Sequence, residues 1–597
     1  MELFCWCGKA LRVNLSSGVI KEENIGQEVL KTWLGGRGLG ARMVAAEVPA
    51  GCDPLGEENK IIFAAGPLTG TKVPGTGRFS ASAKSPLTGT IFDSNAGGRW
   101  GVELKRCGYD ALIIEGKANA PACLTITGGR ARLEEAGELW GAGVAETNRK
   151  LAEKLGKVIS TACIGPAGEN LVKFAAILCD GHRALGRGGL GAVMGAKRLK
   201  AITLHGTGTV RVASPDKLNF MNYEAGKWIK ANPITSKGLP EFGTPVLVNL
   251  FNEMGVLPTR NFQFSRFAGA LKISGEAITE TMFAGRRGCY GCPVQCAMLV
   301  KTSTGITAGP EYESVWALGP QCGIDDLEVI VEANRLCNDL GLDTISTGVT
   351  IGCAMELAEK GFLKEGLNFG DGPGLLSAIR RIAFREGTGN LMAEGSRYLA
   401  GNCMAPGYAM QAKGLELPAY DPRGLQGMGL ALATSNRGGC HLRAYMAGPE
   451  ALGVPKMVNR FSTEGKAGLA INQQNIGAAA DSLAVCRFIN LAVTEEYFAR
   501  ILSAATGVDY RPQDLYRAGE RIWNLERLYN LKAGLDSSCD TLPPRLLEEP
   551  VPDGPSRGKT VVLKPMLEEY YRFRGWDRAG RPTRKKIQEL QLEEFSC

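Results

Sequence analysis

Three cysteines within eight residues, Cys289-Tyr290-Gly291-Cys292-Pro293-Val294-Gln295-Cys296, constrain this chain more than any other feature. Thiolates spaced C-x2-C-x3-C on one loop can reach three corners of an iron–sulfur cubane, and the fourth thiolate must then come from elsewhere in the fold. Cys486, in Asp481-Ser482-Leu483-Ala484-Val485-Cys486, is the candidate. The expected ligand is a 4Fe-4S cluster, so the loop near 290 and the turn near 486 have to meet in space. Structural zinc competes, but it usually takes two C-x2-C knuckles or a Cys/His pair close in sequence, and neither follows here. Inert buried thiols are the second alternative.

A chain of 597 residues exceeds what one hydrophobic core organises, so several domains and room for a large cofactor are expected. Hydrophobic content of 44% and charged content of 22% are those of a soluble globular protein, and no run reaches the roughly 20 apolar residues that span a bilayer. The start, Met1 to Lys9, lacks a basic stretch followed by an apolar core, so no signal peptide is expected. The 18 cysteines are scattered through a large chain, which fits reduced thiols in a cytoplasmic protein better than a disulfide scaffold. The net charge of +8 is spread without a block of like charges. That argues against a nucleic-acid arm and permits an acidic protein partner.

Residues 1–208 read as a β-rich unit. Leu11 to Leu15 alternates before a Ser16-Ser17-Gly18 turn, Lys60–Ala65 and Ala111–Glu115 are short apolar runs, and Leu124–Thr127 with Gly128-Gly129 and Arg130–Leu133 predicts a hairpin. Beyond Thr207 the periods lengthen. Asp325-Asp326 predicts a helix start ahead of Leu327–Leu336, and a second helix is expected over Ser346–Lys360. A division near residue 415 separates the helical part into 209–415 and 416–597, with a Pro-rich, charged tail from Leu542.

Glycine, at 79 residues, is about twice as frequent as usual, and it is selected where backbone takes positive φ or approaches a ligand closely. Two loops, Val73–Ser80 and Asp93–Trp100, join glycines to Arg78 and Arg99, the pattern of an anion-binding nest with a guanidinium beside it. A third, Gly186-Arg187-Gly188-Gly189-Leu190-Gly191, satisfies G-x-G-x-x-G but lacks the acid some 20 residues later that a dinucleotide site wants. The segments Asp339-Leu340-Gly341-Leu342-Asp343 and Asp481–Cys486 are two similar acid-bearing turns, suited to a ligand with two similar halves whose heterocyclic N–H groups donate to the carboxylates.

Together these residues resemble the aldehyde ferredoxin oxidoreductase family, the tungsten or molybdenum bis-pterin enzymes, over most of the chain. The resemblance implies an α+β fold: an N-terminal domain of two related β-sheets that carries the pterins, followed by two mainly α-helical domains with the cluster near their junction. It implies Cys289, Cys292, Cys296 and Cys486 as cluster ligands and Arg78 between cluster and pterin. Asn95, Gly97, Arg187, Gly188 and Gly191 would contact pterin and phosphate, and Asp339, Leu342, Asp481 and Val485 would hold the pterin rings. A magnesium ion bridging the two phosphates would count Asn95 among its ligands.

For chemistry the resemblance implies Glu313 and His441 beside the metal, with Glu311 as the fallback base. It further implies reversible oxidation of an aldehyde to a carboxylic acid, with electrons leaving through the cluster to ferredoxin or a dedicated iron–sulfur subunit. Homo- or hetero-oligomeric assembly stays open. The alternative within the same fold is the tungsten subunit of a benzoyl-CoA-reductase-like enzyme, which would want a thiolate on the metal from Cys322 or Cys440. A non-catalytic electron carrier is the alternative from another class. One departure concerns assembly: family members can bridge two subunits through an E-x-x-H motif, whereas this chain has Glu332-Ala333-Asn334-Arg335 and histidines only at 182, 205 and 441.

Overall fold

The computed structural model describes residues 3–156, 159–364 and 366–596. Its N-terminal part is one six-strand motif used twice. The first copy comprises β1 (Lys9–Asn14), β2 (Ile20–Asn24), β3 (Ile61–Ala65), β4 (Phe79–Lys84), β5 (Ile91–Ala96) and β6 (Ala111–Glu115), in the order β2-β1-β6-β3-β4-β5. The second comprises β7 (Ala122–Thr127), β8 (Arg130–Glu135), β9 (Ser160–Cys163), β10 (Ile177–Cys179), β11 (Arg183–Leu185) and β12 (Leu199–His205). Its order, read from the hairpin edge, is β8-β7-β12-β9-β10-β11.

The pairing repeats strand for strand. β1 and β7 each open an antiparallel hairpin, run parallel to the last strand of their copy (β6, β12), and leave the other contacts antiparallel. The predicted hairpin over 124–133 is β7–β8, in register from Ala122↔Glu135 to Thr127↔Arg130. Leu11, Phe63, Leu112, Leu124, Ile202 and Leu204 all face a single core between the two copies.

The remainder is mainly helical. The predicted helix after Asp326 runs Leu327–Leu340, because the Asp326 carboxylate accepts from the N–H groups of Glu328 and Val329, two of the donors a first turn leaves unpaired. Asp343 caps the following helix, Thr344–Glu359, in the same way. One apolar core takes in Leu87, Phe92 and Phe174 of the sheet part and runs on to Trp576, with residues on both sides of 415 such as Met410, Leu415, Leu417 and Leu425. The Pro-rich tail packs inward: the buried Arg574 guanidinium donates to Gln474 and Asn475, and Phe595 lies edge-on to Trp33 at 6.3 Å.

One element departs from the helical expectation. The cysteine loop hangs between β13 (Phe283–Arg287) and β14 (Ala297–Thr302), which with β15 (Gly305–Ala308) form a small antiparallel sheet. Phe283-Ala284-Gly285-Arg286-Arg287 carries no alternation because both its faces meet solvent, so period-2 patterning had nothing to record. Among the described residues no helix is long and apolar enough to cross a membrane.

Candidate active site

The site starts from two helix ends built alike. The helix Leu327–Leu340 ends at Gly341 in the left-handed region (φ 78°), and the helix Lys466–Leu483 ends at Ala484, also left-handed (φ 56°). In each, the next N–H reaches back five residues: Leu342 to the Cys337 carbonyl at 2.8 Å, Val485 to the Ala480 carbonyl at 3.0 Å. These are Schellman closures, and each aims the last turn of its helix at the sheet domain. The sheet domain answers with one glycine per copy at the same topological point. Gly66 follows β3 and packs so tightly on Leu483 that a Cβ would strike the carbonyl, and Gly165 follows β9 and does the same to Leu340. The two halves expected from the acid-bearing turns are therefore real in the backbone.

Counting in register moves one residue. Asp481 stands five positions before Cys486, and the position five before Asp343 is Asn338, not Asp339. Asn338 lines the central cavity, whereas the Asp339 carboxylate turns away and accepts from the N–H of Ala145 at 2.9 Å. The alignment by acid alone missed this. Registering the turns on Gly341 and Ala484, the left-handed closures, finds it.

Between the two turns lies a cavity of about 650 Å³. All four predicted cluster cysteines line it, with Arg78, Asn95, Gly97, Arg187, Leu342, Asp481, Val485, Glu313 and His441. Gly188 and Gly191 lie outside the lining: Gly188 takes φ +85° with the Phe92 ring against it, and Gly191 lets its helix settle on the Ala175–Ala176 backbone. Arg187 spans to the helical part, ion-paired to Asp343 at 3.2 Å and donating to the carbonyls of Gly439 (2.9 Å) and Glu416 (2.6 Å).

The four thiols lie near enough to act on one another electrostatically. Gly97 sits so close to Cys289 that a Cβ there would lie 2.6 Å from its Sγ and 3.2 Å from Arg78 Nη1. Arg78 is fixed by its Nε donating to the Asn95 side-chain oxygen and its Nη2 to the Asn95 carbonyl at 3.1 Å. Cys486 is anchored by its N–H on the Gly75 carbonyl at 2.9 Å. Burial and then the neighbouring Cys486 push the Cys292 thiol up, and burial followed by Glu311 does so more strongly for Cys296, so ligation there has to displace protons. Among the described residues no three His, Cys, Asp or Glu groups close to the tight spacing of a single ion, which zinc–sulfur bonds of about 2.3 Å would demand. A cubane keeps its ligands further apart.

Cations dominate the walls. Arg443 bridges Asp93 and Asp481, each at 3.0 Å, and Asp481 is held below the usual carboxylate range because Arg487, Arg443 and Arg37 outweigh its burial. Arg183 keeps Nε and Nη2, and Arg437 its Nε, buried with no hydrogen-bond partner. Such orphans cost free energy unless an acceptor arrives, and an anionic ligand with phosphate groups would supply it. Because these donors sit with the glycines and turns already described, the residues present fit a phosphate-bearing pterin pair and a cluster.

Glu313 and His441 face each other across the dry end of the cavity, Oε1 to Nε2 at 3.4 Å. Glu313 Oε2 accepts from the Ala419 N–H at 3.0 Å, and Oε1 has no hydrogen-bond partner. Burial raises the carboxyl to about 8, and burial with Arg187 and Arg437 holds the imidazole far below its ordinary value. The pair is thus a largely protonated acid beside a neutral ring at pH 7, not an ion pair. Tyr420 tilts over the His441 ring at 5.2 Å, and Tyr445 closes the edge at 6.3 Å. Glu311 is a different kind of group: its side chain is 45% exposed, accepts from Thr244 Oγ1 at 2.7 Å and faces Arg183 at 3.5 Å.

The thiols named for the alternative differ sharply. Cys322 is fully buried in the helical core, donating to the carbonyls of Ala317 and Gly348, and does not line the cavity. Cys440 is buried too, but Arg437, Arg443 and Arg187 outweigh burial and bring it to about 7, with Arg437 Nη2 2.9 Å from the sulfur. Glu332 is paired to Arg335 at 2.6 Å within one helix face, so Arg335 occupies the carboxylate an inter-subunit metal would use.

Comparison with known proteins agrees along the whole length. The family model described as the N-terminal domain of aldehyde ferredoxin oxidoreductase matches residues 10–206, and the one for domains 2 and 3 matches 221–592. The chain is 48% identical to the tungsten-containing aldehyde ferredoxin oxidoreductase of Pyrococcus furiosus, covering 98% of this chain and 99% of that one. It is 47% identical to its counterpart in Thermococcus kodakarensis over the same shares. A WOR-like subunit of an aliphatic sulfonate oxidoreductase from P. furiosus is 31% identical. Among solved structures, the active-site complex BamBC of benzoyl coenzyme A reductase shares the fold, with a TM-score of 0.85 at 23% identity over 100% of this chain and 98% of that one.

Proposed function

Because this chain belongs to the aldehyde ferredoxin oxidoreductase family, we propose that it oxidises aldehydes reversibly to carboxylic acids and passes the electrons out singly through a 4Fe-4S cluster. Each turnover consumes one aldehyde and one water and yields the acid, two protons and two electrons. The observation that carries the reading is the buried Glu313–His441 pair opening onto the cavity that all four cysteines line.

When bound, a tungsten or molybdenum bis-pterin centre supplies the two-electron redox chemistry and the cluster its one-electron exit. Arg78, Asn95, Gly97 and Arg187 would hold pterin and phosphate, with Asn95 reaching a bridging magnesium, and Asn338, Leu342, Asp481 and Val485 would seat the rings. Cys289, Cys292, Cys296 and Cys486 would ligate the cluster. The protein's own residues then divide the work. Glu313, once ionised, takes the proton of the attacking water at Oε1, the oxygen left without a partner. His441, neutral throughout, donates to the substrate carbonyl oxygen and orients it. Tyr420 and Tyr445 exclude bulk water, which strengthens both interactions. A cytoplasmic location, a ferredoxin-type acceptor and a division into units 1–208, 209–415 and 416–597 belong to the same reading.

The benzoyl-CoA-reductase-like alternative is the less favoured reading, since neither Cys322 nor Cys440 lines the cavity and the likeness to that complex is one of fold. Elemental analysis of anaerobically purified enzyme, with a viologen-linked assay across short, branched and aromatic aldehydes, tests the proposal. Tungsten or molybdenum together with iron and aldehyde-dependent dye reduction is expected. Iron alone, with no aldehyde activity, would leave only an electron carrier.

A further inference from the structure

The segment 437–443 carries the His441 imidazole, and its other side chains build a buried cationic nest behind that ring. Arg437 is fixed against the sheet part, its guanidinium 4.9 Å over the Phe92 ring and one N–H on the Asp93 carbonyl. It is only 5% exposed, yet among the described residues it meets no carboxylate. Its Nη2 instead reaches the Cys440 sulfur at 2.9 Å, a short contact for a weak sulfur acceptor and the kind that charge assistance produces. The neighbouring cations are already answered: Arg443 by Asp93 and Asp481, Arg187 by Asp343. Arg437 is the buried charge left over, and the sulfur is the group placed to balance it.

Cys440 also differs in kind from the other core thiols. Burial pushes Cys337 and Cys353 up, whereas at Cys440 the opposing pull of Arg437, Arg443 and Arg187 outweighs burial and leaves the thiol at about 7. Two further charged groups feel the sulfur, Arg487 after the last cluster cysteine and Glu313 beyond His441. After burial, Arg187 draws the Glu313 carboxyl down, while Cys440 and Asp343 push it up. We propose that Cys440 is a resident thiolate and a positioning residue for the reaction, a buried anion that pairs Arg437 and offsets the nest so that Glu313 keeps its strength as a base. Without it the arginines would favour the ionised carboxylate, and the weaker base would take the water proton less readily. The use made of Glu313 rests on the oxidoreductase reading above; the thiolate itself does not. Cys440 does not line the cavity, so its part is electrostatic and not ligation of the metal.

The test compares anaerobic wild-type holoenzyme with Cys440→Ser, which keeps the size of the side chain and loses its charge. Cys440→Ala repeats the comparison in case the hydroxyl disturbs packing. The Glu313 carboxyl is titrated by infrared difference spectroscopy, with Glu313→Gln assigning its band, beside the pH profile of viologen-linked aldehyde oxidation. Both the carboxyl midpoint and the rising limb of the profile should move down by roughly one pH unit, the effect of one charge some ångströms away at an effective dielectric near 20. Stability reads the thiolate independently. A thiol brought from about 9 to about 7 on folding adds stability that is fully present above about 9 and lost as pH falls through about 7. The thermal midpoint of wild type should therefore pull away from that of Cys440→Ser as pH rises from about 7 to about 9, while metal content and the sulfur count at the tungsten X-ray absorption edge stay unchanged. An unmoved Glu313 midpoint, a thermal difference constant across that range, or a tungsten centre that loses one sulfur neighbour in the variant would each overturn the proposal. Absence of aldehyde-dependent dye reduction in the wild type would sink the catalytic reading alone, because the infrared and thermal measurements need no turnover.

Discussion

Glu313 carries the sharpest consequence at the scale of single residues. Its carboxyl is raised to about 8 chiefly by burial, so the ionised form able to take a proton is the minority at pH 7 and grows as pH rises. Aldehyde oxidation should therefore increase with pH through about 8, and His441, already neutral there, should add no second limb. The same shift has a stability side: a carboxyl whose folded value lies above its unfolded one favours the folded chain at low pH and loses that advantage as pH rises from about 4.5 through about 8. Glu313→Gln should cost about 10²–10⁴-fold in kcat and flatten the pH profile while metal content stays at the wild-type level. A pH profile with metal analysis on the same samples checks both. Gly97 makes the complementary case for space. A methyl there would lie 2.6 Å from Cys289 Sγ, so Gly97→Ala should lower the iron bound per chain without unfolding the sheets, read by iron analysis beside circular dichroism.

Elements show which parts of the architecture sequence alone could convey. The hairpin β7–β8, the strands β3 and β6 and the Asp-capped helix Leu327–Leu340 were legible because period, turn and cap each leave a local mark. The strand β13 before the cysteine loop was not, since a strand wet on both faces imposes no alternation on its residues. The thiols were legible from spacing, whereas Asn338 was hidden because an amide standing where the other half has Asp481 breaks the acid pattern. Only backbone closure at Gly341 and Ala484 restores the register. The glycines divided likewise. Their abundance pointed to close approach, but that Gly188 serves Phe92 packing while Gly97 serves the thiols is settled by neighbours far away in sequence.

For the whole molecule, the repeated sheet motif and the helical part are locked by buried charge as well as by apolar cores. Arg37, on the helix Gly36–Glu47 of the first copy, donates through Nε and Nη2 to Glu526 on the helix Pro512–Lys532, both at 2.7 Å, with Asp481 at 3.4 Å. Removing one member strands the others in a dry site, so Arg37→Met should cost about 3–5 kcal/mol, seen as a fall in the anaerobic thermal midpoint. It should also loosen the turn that bears Asp481 and Cys486. This coupling makes the cofactor cavity a property of the assembled chain: one sheet copy and one helix end supply each half, and the thiols come from two segments of the helical part. Anomalous diffraction from anaerobic crystals at the iron and tungsten edges tests that most directly. An iron peak among the Sγ atoms of Cys289, Cys292, Cys296 and Cys486, and a single heavier peak in the cavity beside Glu313 and His441, is the predicted map. Iron absent from those four sulfurs, or a heavy atom outside the space between the Asn338 and Asp481 turns, would contradict it.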